Sequence, residues 1–536
     1  MDQPRVLEMP ISPPHSARPK RAAAALLSAA VSLAALLVAG CAVGPDYHTP
    51  RVRMPDHYAA VPDAHATANP GPAPQPVALA SWWRALNDSE LDSLIERAVR
   101  GNPDVLIALD RLQAARTYEA GLIGTALPEV DASAAYGRGT GHDVTSGRAS
   151  EPLESADDSH SLTQINEIGG FDAVWEIDVF GRIRREIEAA RDSAQAALDA
   201  RNAVLVAVIA DVARAYVDLR GVQMQSSVLH AAIGVLEESY RIVSIRYQRG
   251  LTNELDVTLA ARELATLEAQ VAPVDAQVRA AQYTIATLLG VYPEDMMQEL
   301  SPPGMVPAVP ANVHTGLPLG LLERRPDVME AERLLAGSNA EIGVTTAMLF
   351  PQIIASGAVG FQRADLYSPP AVARHIWSAG AGVVWPLLDF GVLDAQVKIA
   401  NLQTRAALEN YKRLIESAVL QVDSAADAYG AEQQSVKNLG DALVASKRAV
   451  TLANARYNRG LTDFLNVVDA EREEYAIEEQ LVGAETAVAE QFVELYKDLG
   501  GGWQGFQNVP RINRPLPEVI AIFRDTLGRS DALKDP

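Results

Sequence analysis

The stretch Arg246-Tyr247-Gln248-Arg249-Gly250-Leu251-Thr252 occurs a second time, 210 residues later, as Arg456-Tyr457-Asn458-Arg459-Gly460-Leu461-Thr462. A second match has the same offset, because Phe180-Gly181 recurs as Phe390-Gly391. Self-similarity over such a distance is the signature of an internal structural repeat. The chain therefore contains two copies of one unit.

A further match upstream locates an insertion in the first copy. Pro103-Asp104-Val105 recurs as Pro326-Asp327-Val328, at an offset of 223 rather than 210. The difference of 13 residues places extra chain between Pro128 and Trp175 in the first copy. The polar segment 139–161 is rich in Gly, Ser, Asp and Glu, so we expect it to be an exposed loop.

Very long helices dominate each copy. No proline occurs from Gly391 to Val509, although the whole chain contains 32, and the proline-free stretches are rich in Ala, Leu, Val, Gln and Glu. These residues favour helix. We expect helices over Gly181–Gln248 and Gly391–Asn458, each 68 residues long. At 1.5 Å per residue each would measure roughly 100 Å.

Segments with a period of two flank the long helices. Apolar and acidic residues alternate from Phe171 to Val179, and the counterpart from Trp377 to Phe390 is apolar and glycine-rich. Preceding strands are expected over Val130–Tyr136 and Ile353–Phe361, which gives two hairpins per chain. The following aromatic residues can anchor such hairpins at a membrane interface: Trp175, Trp377, Trp385, Tyr136 and Phe361.

The amphipathic hairpins have two interpretations. They fit the wall of a transmembrane barrel, with one face towards lipid, but a soluble hairpin with one buried face would show the same pattern. Four strands cannot close a barrel, and open edges in lipid would leave backbone groups unpaired. If the hairpins span a membrane, several chains must contribute to one barrel.

Composition excludes several classes of function. The 536-residue chain has a formal net charge of −22, which is the wrong sign for binding a nucleic-acid backbone. A single cysteine excludes a disulfide framework or a multi-cysteine metal site. The nine histidines are scattered, and no nucleophile elbow or His-Glu-x-x-His motif occurs. We therefore expect no enzyme activity, no metal and no cofactor.

The N-terminus resembles an export signal that ends at the single cysteine. Lys20 and Arg21 precede an uncharged apolar run from Ala22 to Ala39, and small residues lead into Cys41. This pattern resembles the bacterial lipoprotein signal, in which Cys41 is acylated and becomes the new N-terminus. An uncleaved membrane anchor is the alternative, because 18 apolar residues can just cross a bilayer of roughly 30 Å. Met9 is an alternative start.

Taken together, these features make the chain resemble the outer-membrane efflux factor family, which comprises the TolC-like exit channels of tripartite pumps. Within this family, it resembles the lipoprotein branch of RND-type systems. The resemblance covers nearly everything after Cys41. The matching motifs are Cys41-Ala42-Val43-Gly44-Pro45-Asp46-Tyr47, Trp82-Trp83, Leu321-Leu322-Glu323-Arg324-Arg325-Pro326-Asp327-Val328, Phe350-Pro351, both Arg-Tyr-x-Arg-Gly-Leu-Thr turns, and Leu495-Tyr496-Lys497-Asp498-Leu499-Gly500-Gly501-Gly502-Trp503.

The resemblance implies a mixed α and β membrane protein. Its three chains, with four β-strands each, would form a homotrimer with a 12-stranded transmembrane β-barrel that continues into a periplasmic α-helical barrel. The implied place is the outer membrane of a Gram-negative bacterium, lipid-anchored, with most of the mass in the periplasm. The implied partners are a periplasmic adaptor protein, an inner-membrane transporter of the RND type and outer-membrane lipid.

Two groups of site residues follow from the resemblance. Turn residues at the ends of the long helices would contact the adaptor, and Thr252 or Asn253 and Thr462 or Asp463 can cap the returning helices. The adaptor-binding residues would be Gly250, Leu251, Thr252, Gly460, Leu461 and Thr462. A periplasmic gate would comprise Leu465, Asp469 and Arg472. On the residues alone, the turn positions are simply good turn formers, and Asp469 with Arg472 is an ordinary exposed helical pair.

The expected organisation follows from the repeat and the resemblance. It comprises a signal peptide at 1–40, a lipid-anchored Pro-rich segment at 41–84, repeats at 85–310 and 311–503, and a C-terminal tail at 504–536. The expected function is passive conduction of drugs or other small molecules as the outer-membrane channel of a tripartite efflux pump. Two alternatives stay open, an exit duct for type I protein secretion and a lipid-anchored periplasmic coiled-coil scaffold.

Overall fold

A computed structural model describes residues 42–59, 78–140, 163–310, 313, 318–365 and 372–507. The expected signal peptide, Cys41, most of the expected insertion loop and nearly all of the C-terminal tail lie outside these residues. Only Gly139 and Thr140 of that loop are described, and both belong to a strand rather than a loop.

Seven helices of more than ten residues occur in the described part of the chain. They are α1 (Ser89–Gly101), α2 (Pro103–Thr125), α3 (Arg182–Gln248), α4 (Glu254–Leu289), α5 (Pro326–Ala347), α6 (Val392–Asn458) and α7 (Leu465–Asp498). The two very long helices are confirmed, since α3 and α6 have 67 residues each. Each starts one residue after a glycine with positive φ, Gly181 at +85° and Gly391 at +88°, a conformation that favours glycine.

Four antiparallel strands form one sheet in the order β1-β2-β3-β4. They are β1 (Glu129–Thr140), β2 (Thr163–Ile177), β3 (Gln352–Asp365) and β4 (Val372–Val384). Both expected hairpins are confirmed, and β2 also pairs with β3, with Phe171 opposite Val359. In the described chain, β1 and β4 are therefore the two edges of an open sheet.

All four strands extend beyond their expected bounds on at least one side, and two of them end earlier than expected. The fourth strand ends at Val384 and not at Phe390, because Pro386 follows two residues later and proline cannot donate a ladder hydrogen bond. The indole of Trp385 instead donates to the carbonyl oxygen of Leu349 at 3.1 Å. The second strand ends at Ile177 rather than Val179.

The chain divides into two units. Among the described residues, unit 1 contains 42–50, 114–140, 163–195, 332–365 and 372–409, and unit 2 contains 51–59, 78–113, 196–310, 313, 318–331 and 410–507. The four strands belong to unit 1. None of the described helices combines the length and the apolar composition needed to cross a bilayer.

Unit 2 has an aromatic centre built on the Trp82-Trp83 pair. Trp82 is fully buried and stacks on Tyr496, with the ring centroids 5.7 Å apart. Trp83 packs edge-on against Trp82, with the ring centroids 5.9 Å apart, and stacks on Phe506. Because aromatic side chains bury large areas, this centre packs the C-terminal end of α7, where Tyr496 lies, against the Trp82-Trp83 segment.

Candidate functional site: two helix turns and the face behind them

The two repeated turns have the same backbone geometry. Gly250 has φ +71° and donates its N–H to the Tyr247 carbonyl oxygen at 2.9 Å, while Leu251 donates to Arg246 at 2.9 Å. The second turn repeats this with Gly460 at φ +71° and with Leu461 donating to Arg456 at 3.0 Å. These two hydrogen bonds form the Schellman motif, which ends a helix at a glycine in the left-handed conformation. The expected helix ends at Gly250 and Gly460 are confirmed.

Both turns present a leucine to solvent. Leu251 is 64% exposed and Leu461 is 63% exposed. A methyl group added to either glycine would meet no atom within 4 Å. Backbone conformation alone therefore requires glycine at these positions, and both turns are open surfaces in the single chain.

The two returning helices start differently. Asn253 caps α4 by accepting a hydrogen bond from the Asp256 N–H at 3.1 Å, which confirms one expected cap. The expected cap at Thr462 or Asp463 was wrong, because α7 starts at Leu465 and its N-cap position, Phe464, makes no side-chain capping bond. Phe464 is instead buried, at only 2% exposed.

An apolar cluster, the tip core, joins all four long helices behind the turns. Its buried members are Val243, Ala260, Tyr457, Phe464, Val467 and Val468. The rings of Tyr457 and Phe464 lie 5.2 Å apart, and the Arg246 guanidinium lies 4.7 Å from the Tyr457 ring centroid. The tip core therefore holds the two turns together by packing.

The structure places the three expected gate residues on one face of α7. Arg472 Nη2 lies 3.6 Å from Asp469 Oδ1, and the two side chains are 56% and 52% exposed. Leu465 lies one turn before Asp469 and is also exposed. An exposed pair of this kind contributes little to stability, so these side chains are free to serve a surface function.

Sequence reasoning missed Glu471, which is only 8% exposed. Its Oε1 accepts a hydrogen bond from the Ser239 hydroxyl at 3.1 Å, which joins α7 to α3. Burial raises the pKa of Glu471 above its ordinary value, against the effect of hydrogen bonds from Ser239 and Asn454. No signal in the sequence separates this glutamate from its neighbours Glu473 and Glu474.

A pocket of about 240 Å³ lies beside Glu471. Its walls come from α3, α4 and α7 and are partly apolar, as at Leu236 and Leu267. Arg472 lines the same pocket, so the expected gate face and the missed carboxylate are neighbours. In the described part of the chain, no group of three or more His, Cys, Asp and Glu side chains could hold a metal ion.

Comparison with known protein families identifies the family of this chain. The family model described as "Outer membrane efflux protein" matches residues 94–291 and 317–501, more than half of the chain. The chain belongs to the outer membrane efflux protein family. Its two matched segments lie within the two expected repeats, at 85–310 and 311–503, and members of this family are transport components rather than enzymes.

Curated relatives of this outer membrane efflux protein align over nearly their whole length. Nodulation protein T from Rhizobium leguminosarum bv. trifolii is 29% identical over 476 residues, covering 87% of this chain and 96% of the relative. The toluene efflux pump outer membrane protein TtgC from Pseudomonas putida is 27% identical over 488 residues, covering 89% and 96%.

Solved structures share the fold. The outer-membrane channel OprN is 34% identical with a TM-score of 0.74, and the match covers 87% of this chain and 100% of that one. The open state of the Neisseria gonorrhoeae MtrE channel superimposes with a TM-score of 0.71 at 24% identity, covering 88% and 100%. The chain therefore has the mixed α and β fold of outer-membrane channels.

Proposed function

We propose that this outer membrane efflux protein is the exit channel of a tripartite efflux pump and works as a homotrimer. The observation that carries the proposal is the open sheet, in which β1 and β4 are edges within the described chain. An unpaired edge in lipid is too costly to persist, so edges of neighbouring chains must pair. Three copies of four strands give a closed barrel of twelve.

The apolar surface of the sheet supports a membrane location. Large apolar side chains of all four strands are at least half exposed in the single chain, namely Val130, Tyr136, Phe171, Val359, Phe361 and Trp377. Exposed apolar surface of this extent marks a contact with lipid or with another chain. A barrel in the outer membrane provides both contacts.

The two turns are the proposed contact with a periplasmic adaptor. Gly250, Leu251, Thr252, Gly460, Leu461 and Thr462 form this surface. Its two leucines are exposed to nearly the same extent, and corresponding backbone hydrogen bonds fix the conformation of both turns. An exposed leucine at each turn adds nothing to the stability of the single chain but offers apolar area that a partner protein can bury.

The proposed gate is the face of α7 that carries Leu465, Asp469 and Arg472. In a homotrimer, three copies of Asp469 would approach around the threefold axis. Three carboxylates in a ring favour cations and repel one another unless Arg472 compensates them. The pair at 3.6 Å within one chain provides that compensation at close range.

The lipid anchor, the pump partners and the cargo complete the proposal. Cys41 would carry the lipid in the outer membrane, and an inner-membrane transporter of the RND type would supply the energy. The relatives are named for toluene, solvent and antibiotic efflux, which supports drugs or other small apolar molecules as cargo. The chain itself would conduct them passively.

The test uses purified mature protein in planar bilayers together with a deletion strain. A trimer on native gels with discrete single-channel conductance, and a strain that accumulates small apolar compounds, are the expected results. Export of a polypeptide lost in the same strain, with unchanged drug accumulation, would instead support the type I secretion duct. A monomer released from membranes once its lipid is removed, without conductance, would support the periplasmic scaffold.

A further inference from the structure

The segment directly after Cys41 is bound along its length within unit 1. Val43 donates its N–H to the Phe180 carbonyl oxygen at 3.0 Å. Asn339 Nδ2 donates to the Pro45 carbonyl oxygen at 2.9 Å. Further along, Tyr47 and Thr49 both donate their hydroxyls to Glu332 Oε1, at 2.9 and 3.0 Å. We call residues 43–49 the anchor segment.

Arg185 is the centre of this contact. Its side chain is only 5% exposed, and Nη2 lies 2.7 Å from Asp46 Oδ1. The same guanidinium donates from Nε to the Val43 carbonyl oxygen at 3.3 Å, and Nη1 binds Glu188 at 2.8 Å. A buried guanidinium is costly unless its donors are paired. The anchor segment therefore supplies hydrogen-bond acceptors that the buried Arg185 side chain requires.

Three glycines allow this close approach. A methyl group on Gly44, which has φ +97°, would lie 2.5 Å from the Gly343 Cα, and one on Gly181 would lie 2.7 Å from the Ala42 Cα. A methyl group on Gly343 would lie 2.7 Å from Arg185 Cγ. Such distances are far below van der Waals contact, so the groove is shaped for this backbone.

We propose that Arg185, Glu332 and Asn339 form a docking groove whose ligand is the anchor segment, and that docking holds Ala42 beside the junction of β2 and α3. Ala42 packs directly on Gly181, the residue before α3. The groove would therefore limit how far a lipid attached to the preceding residue can move from this end of the sheet. This consequence rests on the proposed function, which puts an acyl group on Cys41, whereas docking itself does not.

Amide hydrogen exchange on the purified full-length mature protein tests the proposal. Gly343→Ala should expel the Arg185 side chain while favouring helix α5, since alanine is the better helix former. We expect residues 43–49 to exchange at least tenfold faster in this variant than in the wild type. Gly337→Ala is the matched control on the same helix, because a methyl group there meets its nearest atom at an ordinary 3.4 Å.

Two further variants separate docking from lipid and from folding. Cys41→Ser removes the acyl site and should leave the anchor segment as protected as in the wild type. Arg185→Met keeps the apolar stem without the guanidinium and should expose the segment. Free exchange of residues 43–49 in the wild type, or loss of protection in Cys41→Ser, would overturn the proposal. The mass of the N-terminal peptide and the single-channel conductance report lipidation and channel function separately, so failure of the proposed function is recognised independently.

Discussion

The Ser239 hydroxyl donates a hydrogen bond to the carboxylate of Glu471 at 3.1 Å, across the interface between α3 and α7. The carboxylate is buried, and this bond is one of the few that offset its loss of water. The contact therefore joins the first long helix to the helix that carries the proposed gate residues.

Removing the donor should loosen this interface. Ser239→Ala leaves Glu471 with fewer partners, and an unsatisfied buried acceptor costs about 1–3 kcal/mol. The pKa of Glu471 should rise further, since the hydrogen bond from Ser239 lowers it. Faster amide exchange around residues 467–471 would show the effect. Ser226→Ala is the control, because that hydroxyl contacts only exposed His230 of its own helix at 3.5 Å, and equal effects of both substitutions would contradict the prediction.

Glu490 should make stability depend on pH. Burial, then the hydrogen bond and charge of Asp218, raise the pKa of Glu490 from 4.5 to about 7, while Arg214 opposes the shift. The folded state binds this proton more tightly than the unfolded state, so the contribution to stability is complete below pH 4.5 and is lost as the pH rises through about 7.

Glu490→Gln should abolish that loss because its side chain stays neutral. The pH dependence of stability is measured by thermal unfolding of the detergent-solubilised protein between pH 4.5 and 8. The stability of the variant relative to the wild type should increase towards pH 8. Glu237→Gln, an exposed site on α3, should leave the profile unchanged. A wild-type profile that rises with pH in this window, with no change in Glu490→Gln, would refute the assignment.

Alanine at the turn glycines should cost stability through backbone strain alone. Gly250→Ala and Gly460→Ala force a left-handed residue to carry a Cβ, which costs about 1 kcal/mol each, and no neighbouring atom adds a clash. Gly430→Ala is the matched control: it lies exposed within α6 at negative φ, so alanine should stabilise that helix by up to about 1 kcal/mol. Amide hydrogen exchange checks both effects: the turn amides should exchange faster in the turn variants, and the α6 amides should exchange more slowly in Gly430→Ala.

Asp469→Ala should change conduction without changing the fold. The exposed pair with Arg472 is worth less than about 1 kcal/mol, so thermal stability should stay within that range. Loss of the proposed carboxylate ring should raise single-channel conductance and the entry of large antibiotics. Glu238→Ala removes a comparable exposed pair with Arg241 on α3 and should leave conductance unaltered. Unchanged permeability in Asp469→Ala would count against the gate.

The repeat, the long helices and the turns could be predicted from the sequence because they depend on local signals. Glycine at 250 and 460 ends a helix wherever it occurs in this context, and the absence of proline allows 67 residues to form one helix. Period-two alternation likewise predicted both hairpins. These features rest on backbone sterics and on hydrophobic spacing within one segment.

Contacts between distant segments could only come from the tertiary structure. At the start of α7, Phe464 packs against Tyr457 and makes no capping bond, a contact that the local capping residues did not predict. Ser239, which bonds to Glu471, lies 232 residues away from it, and Asp46, which bonds to Arg185, lies 139 residues away from it, where no periodicity links them. Whether a charged side chain is buried and paired is decided by which helices pack together, and that is a property of the whole fold.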